Sequence, residues 1–403
     1  MKLFTFLFIF IYVLTTNIGQ RLGIDSKLVN YFLLIFSFLY ILIKEKAGVL
    51  FHSTFGIVLY CAVITVIMRV SEGIMADSFQ VLMNLLFPAL IVFVIRLMKT
   101  TKNEMQGIII KMFIVNSFIA IFEFILKSHL IGWYEAGYTE GYISYQDSAF
   151  RSVALLGGPL ANAEITCMIN AFVLFSNIKN KYKLFCLGTL AILAYNARTS
   201  FFMNAAIFVL YAISNFHNFS LKQRKMVLGA MILIAAFVGF LAFNTNMGSR
   251  LFMTDKTDGG SIDIRLQLFD YAMSLNFKDF LFGMSYTKFQ ILQEFIGVKV
   301  IENFWLNYIF HFGIVVVIMF VLAYFFVIKS VFTAYNLLTK LILVLGILVV
   351  MSSTNGLYSD YRSFLMLLLC GYAFSPQNFV KNKLSKSKYS KMNDFVLRQP
   401  IYT

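Results

Sequence analysis

The residues of this chain best suited to chemistry are arginines and acids at the edges of apolar stretches. In RSVALLGGPLANAE, Arg151 is followed by a Gly-Gly-Pro sequence and then by Glu164, and in NARTSF, Arg198 lies between two short apolar segments. A guanidinium group binds phosphate through paired hydrogen bonds and stays charged when it is partly desolvated. A partly buried carboxylate can serve as a general base. These side chains predict a site for an anionic substrate.

A further arginine lies in GSIDIRLQLFDYAMSL. At 100° per residue this segment forms a helix with one polar and one apolar face, and Arg265 falls on the apolar face. The polar face consists of Asp263, Gln267, Asp270 and Ser274, and the apolar face also carries Leu268, Phe269 and Ala272. An arginine in that position predicts a side chain that points into a cavity and holds an anion. A salt bridge to another acid is the alternative.

The segment ENFWLNYIFHFG carries polar residues at a helical spacing. Asn303, Asn307 and His311 recur every four residues, so they form one stripe that enters an apolar helix, and Glu302 stands at its mouth. Glu302 is the first candidate for a functional carboxylate, and Glu164 is the second. Asn303 and Asn307 are candidates for orienting the substrate.

Each of these features also has a structural interpretation. Arg151 and Glu164 could belong to a kinked helix that carries an interhelical ion pair, and Arg198 could extend to lipid phosphate. His311 could form a hydrogen bond between helices. In TNGLYSDYRS, Asp360 and Arg362 are most simply explained as a structural pair.

The sequence predicts no metal site and no cofactor. The four cysteines lie singly in apolar stretches, which is typical of small packing residues, and the four histidines are scattered among different segments. The cysteines are Cys61, Cys167, Cys186 and Cys370, and the histidines are His52, His129, His217 and His311.

The elements that position these residues are membrane helices. Hydrophobic residues make up 60% of the 403, charged residues make up 13%, and the mean hydropathy is +0.78, which excludes a water-soluble globule. At about 20 apolar residues per span, about twelve helices are predicted, and the short seventh and eighth could form a hairpin. The segments lie near 3–19, 28–43, 48–68, 78–98, 107–126, 152–176, 184–196, 199–215, 227–244, 303–327, 340–356 and 362–375.

Loop charges predict the orientation of this all-α bundle. Basic residues concentrate in alternate connections and in the tail, which places that face and both termini in the cytoplasm. The basic set includes Lys44, Arg96, Lys102, Lys181, Arg224, Lys329, Lys340 and Lys381. The net charge of +15 therefore indicates topology and not nucleic-acid binding. We expect one membrane domain over 1–375, large outer loops at 127–151 and 245–301, the second with short helices, and a basic cytoplasmic tail over 376–403.

In order and sidedness, these motifs resemble the Wzy family of O-antigen and capsule polymerases and, more distantly, the O-antigen ligases of the same superfamily. The matching features are an arginine before a Gly-Pro break, an Arg-Thr hairpin, an outer-loop arginine upstream of a glycine, and an outer helix start followed by a glycine. They correspond to Arg151 and Pro159, Arg198 and Thr199, Arg265 and Gly283, and Glu302, Asn303 and Gly313.

The resemblance implies a GT-C-like membrane glycosyltransferase that needs no metal and acts outside the bacterial cytoplasmic membrane. Its substrate would be an oligosaccharide linked to undecaprenyl pyrophosphate, and its partners would be membrane lipids and a chain-length regulator protein. Glu302, Glu164 and Arg265 would be catalytic. The pyrophosphate would be bound by Arg151, Arg198, Arg250 and Arg265.

Two other functions stay open. Ligases usually carry a His-Asn pair where this chain has Glu302 and Asn303, which favours a polymerase. A lipid-linked oligosaccharide flippase or another transporter would place its decisive polar residues near the bilayer midplane, whereas here they cluster at one surface.

Overall fold

A computed structural model describes a helical protein. The described residues are 2–14, 18–19, 22–45, 75–97, 101–130, 150–156, 158–216, 261–296, 301, 303–352 and 361–376, with isolated positions between 221 and 236. Within this part of the chain there are thirteen α-helices and no strand. They are α1 Lys2–Ile9, α2 Ser26–Glu45, α3 Met75–Leu97, α4 Lys102–Leu126, α5 Pro159–Phe175, α6 Lys181–Tyr195, α7 Arg198–Asn215, α8 Ser261–Met273, α9 Phe277–Phe282, α10 Tyr286–Ile296, α11 Phe304–Val331, α12 Leu337–Ser352 and α13 Tyr361–Ala373. The all-α prediction is confirmed for these residues.

Most of the predicted segments correspond to helices. The predicted hairpin is α6 and α7, which are joined by Asn196 in the left-handed conformation (φ 54°) and by Ala197. The predicted segment 48–68, most of 227–244 and the tail 377–403 lie outside the described residues. So does 131–149, which is most of the first outer loop.

One predicted helix boundary is wrong. The segment expected to be helical from 152 becomes helical only at Pro159, and Gly158 is the N-cap. Proline lacks the backbone N–H that the first helical position leaves unused, and its fixed φ suits that position. The Gly-Gly-Pro sequence therefore begins a helix instead of interrupting one, and Arg151 lies in a non-helical segment before it.

Lysine-rich helix ends meet at one end of the bundle. Lys102, at the start of α4, donates a hydrogen bond to the Ser375 hydroxyl after α13, and Lys181 Nζ donates to the Ser176 carbonyl at 3.3 Å. The Phe172 ring, near the end of α5, lies 5.8 Å from the ring of Phe332, which follows α11. We call this the lysine end of the bundle.

The opposite end is where α4 and α6 finish and α5, α7 and α13 start. Ser152 connects the first two, because its hydroxyl donates to the Ala120 carbonyl at 2.6 Å and its N–H donates to the Ala194 carbonyl at 3.1 Å. We call this the arginine end, defined by Arg151 and Arg198. The sequence predicted that successive helices run in opposite directions. The directions of α4, α5, α6 and α7 agree with this prediction.

The exposed sides of the two longest helices are mostly apolar. Two of the described helices, α4 and α11, are long and apolar enough to cross a membrane. The exposed face of α4 carries Lys111 and, after it, Val115, Phe118, Phe122 and Ile125, whereas its buried polar residues are Asn116, Ser117 and Glu123. The exposed face of α11 is similarly apolar, with Val315, Ile318, Leu322 and Phe325. Apolar side chains outside and polar ones inside are favoured when the surrounding solvent is lipid.

The short helices α8, α9 and α10 pack on the first part of α11. They share a small core of their own with that helix, made of Leu268, Ala272, Met284, Phe289, Leu292, Ile301, Leu306 and Phe310. Gln267, Asp270 and Ser274 are exposed and Leu268 and Ala272 are buried, as the helical pattern predicted, but Phe269 is exposed.

These short helices lie on the arginine side of the bundle. The Tyr324 ring of α11 lies 4.6 Å from the Phe364 ring near the start of α13, and the Phe172 ring contacts both Phe332 after α11 and Phe374 after α13. Both helices therefore run toward the lysine end. The start of α11 and the helices packed on it must lie toward the other end.

Candidate functional site

The segment 150–156 runs between the ends of α4 and α6 with its backbone groups bound by side chains. Glu123 Oε2 accepts the N–H groups of Val153 at 2.7 Å and Ala154 at 2.9 Å. The Asn116 side-chain oxygen accepts the N–H of Leu155 at 3.0 Å. Non-helical backbone in an apolar surrounding needs such partners because no water replaces them.

Asn162, in the first turn of α5, completes this arrangement. Its side-chain oxygen accepts the Leu156 N–H at 3.3 Å, and its amide nitrogen donates to the Val153 carbonyl at 2.5 Å. The N–H groups of residues 153–156 are therefore all occupied by side chains of the protein. An anion that binds here would have to be held by side chains and not by these amides.

Arg151 and Arg198 both lie next to the hairpin between α6 and α7. Arg151 is half-buried, and its Nε donates to the Tyr195 carbonyl at 3.1 Å. Arg198, three residues after Tyr195, is the first residue of α7 and is also half-buried. The prediction that these two arginines belong to the same end of the bundle agrees with these contacts.

Two helix N-termini add positive potential at the same place. The N-cap residues of α5 and α7 are Gly158 and Ala197, and neither makes a side-chain capping hydrogen bond. The first N–H groups of a helix carry a partial positive charge that favours anions. The arginine end therefore combines two guanidinium groups with the starts of two long helices, and this arrangement suits a diphosphate.

Glu164 is buried near the start of α5, with 1% of its surface exposed. Ser363, in the first turn of α13, donates its hydroxyl to Glu164 Oε2 at 3.0 Å. The preceding residue, Arg362, is half-buried, and its carbonyl accepts the Tyr12 hydroxyl at 3.0 Å. The carboxylate lies at the arginine end, where it connects α5 to α13.

The predicted polar stripe of α11 is present, and its members differ in their surroundings. Asn303 is the N-cap, and its side-chain oxygen accepts the Leu306 N–H at 3.2 Å. Asn307 is buried, and its side-chain oxygen has no hydrogen-bond partner among the described residues. His311 is buried, and the centroid of its ring lies 4.0 Å from that of Phe289. Asn303 thus has a capping role, and Asn307 has an unused acceptor.

Other predicted site residues fall outside the description. Glu302 and Arg250 are not among the described residues. Arg265 lies in α8, one turn before Leu268, and its side chain is outside the description. Their assigned roles stay predictions.

Glu123 is the polar residue that the sequence analysis missed. It lies in the last turn of α4, its side chain is fully buried, and three backbone N–H groups donate to it. The sequence does contain a signal for Glu123. A glutamate within an otherwise apolar helix costs free energy unless its carboxylate is hydrogen-bonded or paired, and the same reasoning selected Glu164.

Among the described residues, no group of three or more metal-binding side chains is close enough to hold an ion. Cys167 and Cys370 are buried, as expected of packing residues, whereas Cys186 is exposed. No family model matches the sequence, and no curated protein matches it either.

Proposed function

We propose that this protein is a polymerase of bacterial surface polysaccharide. It would join repeat units that are linked to undecaprenyl pyrophosphate by metal-independent glycosyl transfer. We further propose that it is a multi-pass protein of the cytoplasmic membrane. Its lysine end and both termini would face the cytoplasm, and its arginine end would face outward.

The observation that carries the proposal is that Arg151 and Arg198 lie at the same end of the bundle: Arg151 binds the Tyr195 carbonyl, and Arg198 follows Tyr195 by three residues. Both are half-buried, so their charges are screened less than those of surface residues. Arg198 begins α7, α5 starts at the same end of the bundle, and the amides of 153–156 are occupied. A pair of guanidinium groups in such surroundings is suited to a diphosphate.

The membrane location has its own support. The exposed faces of α4 and α11 are mostly apolar, and both helices are long enough to cross a bilayer. The stretch 176–183, at the end opposite to Arg151, carries three lysines and no acid, whereas the sequence between α4 and α5 carries two basic residues and three acids. By the rule that cytoplasmic connections are rich in lysine and arginine, the arginine end would face outward.

The chemistry follows from the leaving group. A hydroxyl oxygen of the incoming repeat unit attacks the anomeric carbon of the growing chain, and the bond from that carbon to the pyrophosphate oxygen breaks. Undecaprenyl pyrophosphate leaves with the electron pair, and Arg151, Arg198 and Arg265 stabilise its negative charge. The hydroxyl proton passes to a carboxylate, for which Glu302 is the first candidate and Glu164 the second.

Purified protein and a lipid-linked repeat unit test the proposal directly. We expect chain extension in detergent without ATP and in the presence of a chelator. Replacing Arg151 or Arg198 by alanine should lower the rate about 100-fold, because one charge-stabilising donor is lost. Lysine at either position should restore only part of the rate, since it lacks the planar fork of arginine.

Arg224→Lys is the matched control. Arg224 lies over the Phe216 ring at 4.5 Å, beyond the far end of α7, and lysine keeps a cation there. Its rate should equal that of the wild type. Transfer of glycan to another acceptor without lengthening would identify a ligase, and movement of the lipid-linked unit without bond formation would identify a transporter.

A further inference from the structure

Glu123 binds two separate parts of the chain through both of its carboxylate oxygens. Oε1 accepts the Leu130 N–H at 3.0 Å, from the residues that follow α4. Oε2 accepts the N–H groups of Val153 and Ala154 at 2.7 and 2.9 Å. His129 Nδ1 lies 3.9 Å from Oε2. The side chain is fully buried, so these protein groups replace the water that a carboxylate otherwise binds.

A carboxylate suits this position better than an amide of the same size. An ionised carboxylate accepts hydrogen bonds at both oxygens, whereas the NH2 group of glutamine donates. In Glu123→Gln, either the Leu130 N–H or the pair from Val153 and Ala154 would face another donor. Two acceptor oxygens at the reach of a glutamate side chain are therefore needed for both segments to be held together.

The backbone held by Glu123 has a shape that needs support. Ala154 has a positive φ of 48°, which residues other than glycine rarely adopt. Ser152, two residues before Ala154, is held by the carbonyls of Ala120 and Ala194. Arg151 precedes these fixed residues directly, so the position of its guanidinium group depends on them.

We propose that Glu123 is a positioning residue that holds Arg151 at the anion site. This inference rests on the proposed function for the role of Arg151, but the structural part can be measured without any reaction. Glu123 acts through the N–H groups of Val153 and Ala154 and does not touch the substrate.

Hydrogen exchange of the full-length protein in detergent tests the structural part. In Glu123→Gln, the amides of 153 and 154 should exchange about tenfold faster than in the wild type, since they lose a buried acceptor. Glu104→Gln is the matched control, because it makes the same change in the same helix at the lysine end. Glutamine can still complete the capping box with Thr101, so exchange at 153 and 154 should stay unchanged.

A double-mutant cycle tests the positioning role. Glu123→Gln alone should lower kcat/KM about tenfold or more, because a small displacement of a catalytic group is costly. In an Arg151→Ala background the same change should have almost no further effect, since both act through one group. If Glu123→Gln does not fold, Glu123→Asp, which keeps the charge but is one methylene shorter, replaces it in both experiments.

Unchanged exchange at 153 and 154, or losses of activity that add in the double variant, would overturn the inference. If the wild-type protein extends no chain, the proposed function fails on its own. The exchange experiment then still decides whether Glu123 holds the segment that carries Arg151.

Discussion

At the scale of single residues, Tyr195 links the packing of the helices to the candidate site. The side chain is fully buried, and its hydroxyl accepts a hydrogen bond from the Asn116 amide at 2.8 Å. Its backbone carbonyl accepts from Arg151 Nε at 3.1 Å. Asn116 in turn binds the Leu155 N–H. The hydroxyl therefore contributes to the arrangement of the segment that follows Arg151, although it does not contact Arg151.

We expect Tyr195→Phe to lower the free energy of unfolding by about 1–3 kcal/mol, because the buried Asn116 amide loses this acceptor. Thermal unfolding in detergent measures the change. Tyr182→Phe is the control: its side chain is 45% exposed, and its hydroxyl lies 3.3 Å from that of Tyr211. That variant should differ from the wild type by less than about 0.5 kcal/mol. Equal shifts for the two variants would show that the bond to Asn116 is unimportant.

At the scale of elements, two glycines allow α9 to approach α11 closely. Gly283 follows α9 with φ 89°, and Gly313 interrupts α11 with φ 75°. The Met284 N–H donates to the Phe310 carbonyl at 2.7 Å. A Cβ atom on Gly283 would lie 2.6 Å from the His311 carbonyl oxygen, and one on Gly313 would lie 2.2 Å from that of Leu281. Both positions need a residue without a side chain.

Alanine at Gly283 or Gly313 should destabilise the protein by more than about 2 kcal/mol, since each combines an unfavourable φ with a backbone clash. Gly107→Ala should have the opposite effect. Gly107 lies inside α4, and a Cβ atom there would meet no atom within 4 Å beyond its chain neighbours and the backbone of its own helix. Alanine at this position should stabilise the protein by about 0.5–1 kcal/mol. Chemical denaturation measures the free energy of unfolding of the three variants. A change of the same sign at all three positions would contradict this prediction.

At the scale of the whole molecule, the bundle has two distinct ends. Lys102 and Lys181 make their contacts at the lysine end, whereas Arg151 and Arg198 lie at the arginine end. The exposed apolar faces of α4 and α11 lie between those ends. This arrangement predicts that the two ends are on opposite sides of a membrane.

Single cysteines can test the orientation in a background in which the four native cysteines are replaced. Ser285, before α10 on the arginine side, and Thr333, after α11 at the lysine end, are both exposed. A maleimide that cannot cross membranes should label Ser285→Cys in intact spheroplasts, and Thr333→Cys only after permeabilisation. Labelling of both in intact spheroplasts would be incompatible with the proposed orientation.

The sequence predicted features that depend on local pattern. The apolar segments located α4, α6 and α7, and the helical spacing placed Leu268 and Ala272 on a buried face. The sequence did not predict that 152–156 is non-helical, because its composition is apolar and the acceptors of its N–H groups are distant in the chain. Glu123 precedes Val153 by 30 residues, and Asn116 precedes Leu155 by 39.

By itself, the sequence determined the helical class, the positions of most helices and the residue types available for binding an anion. These follow from apolar length and spacing, which each segment carries without reference to the others. The tertiary structure alone decided that Arg151 binds the Tyr195 carbonyl, that the N–H groups of 153–156 are occupied, and that Glu123 binds the segment after Arg151. Each of these depends on hydrogen bonds between residues far apart in the chain, and local pattern does not specify such pairs.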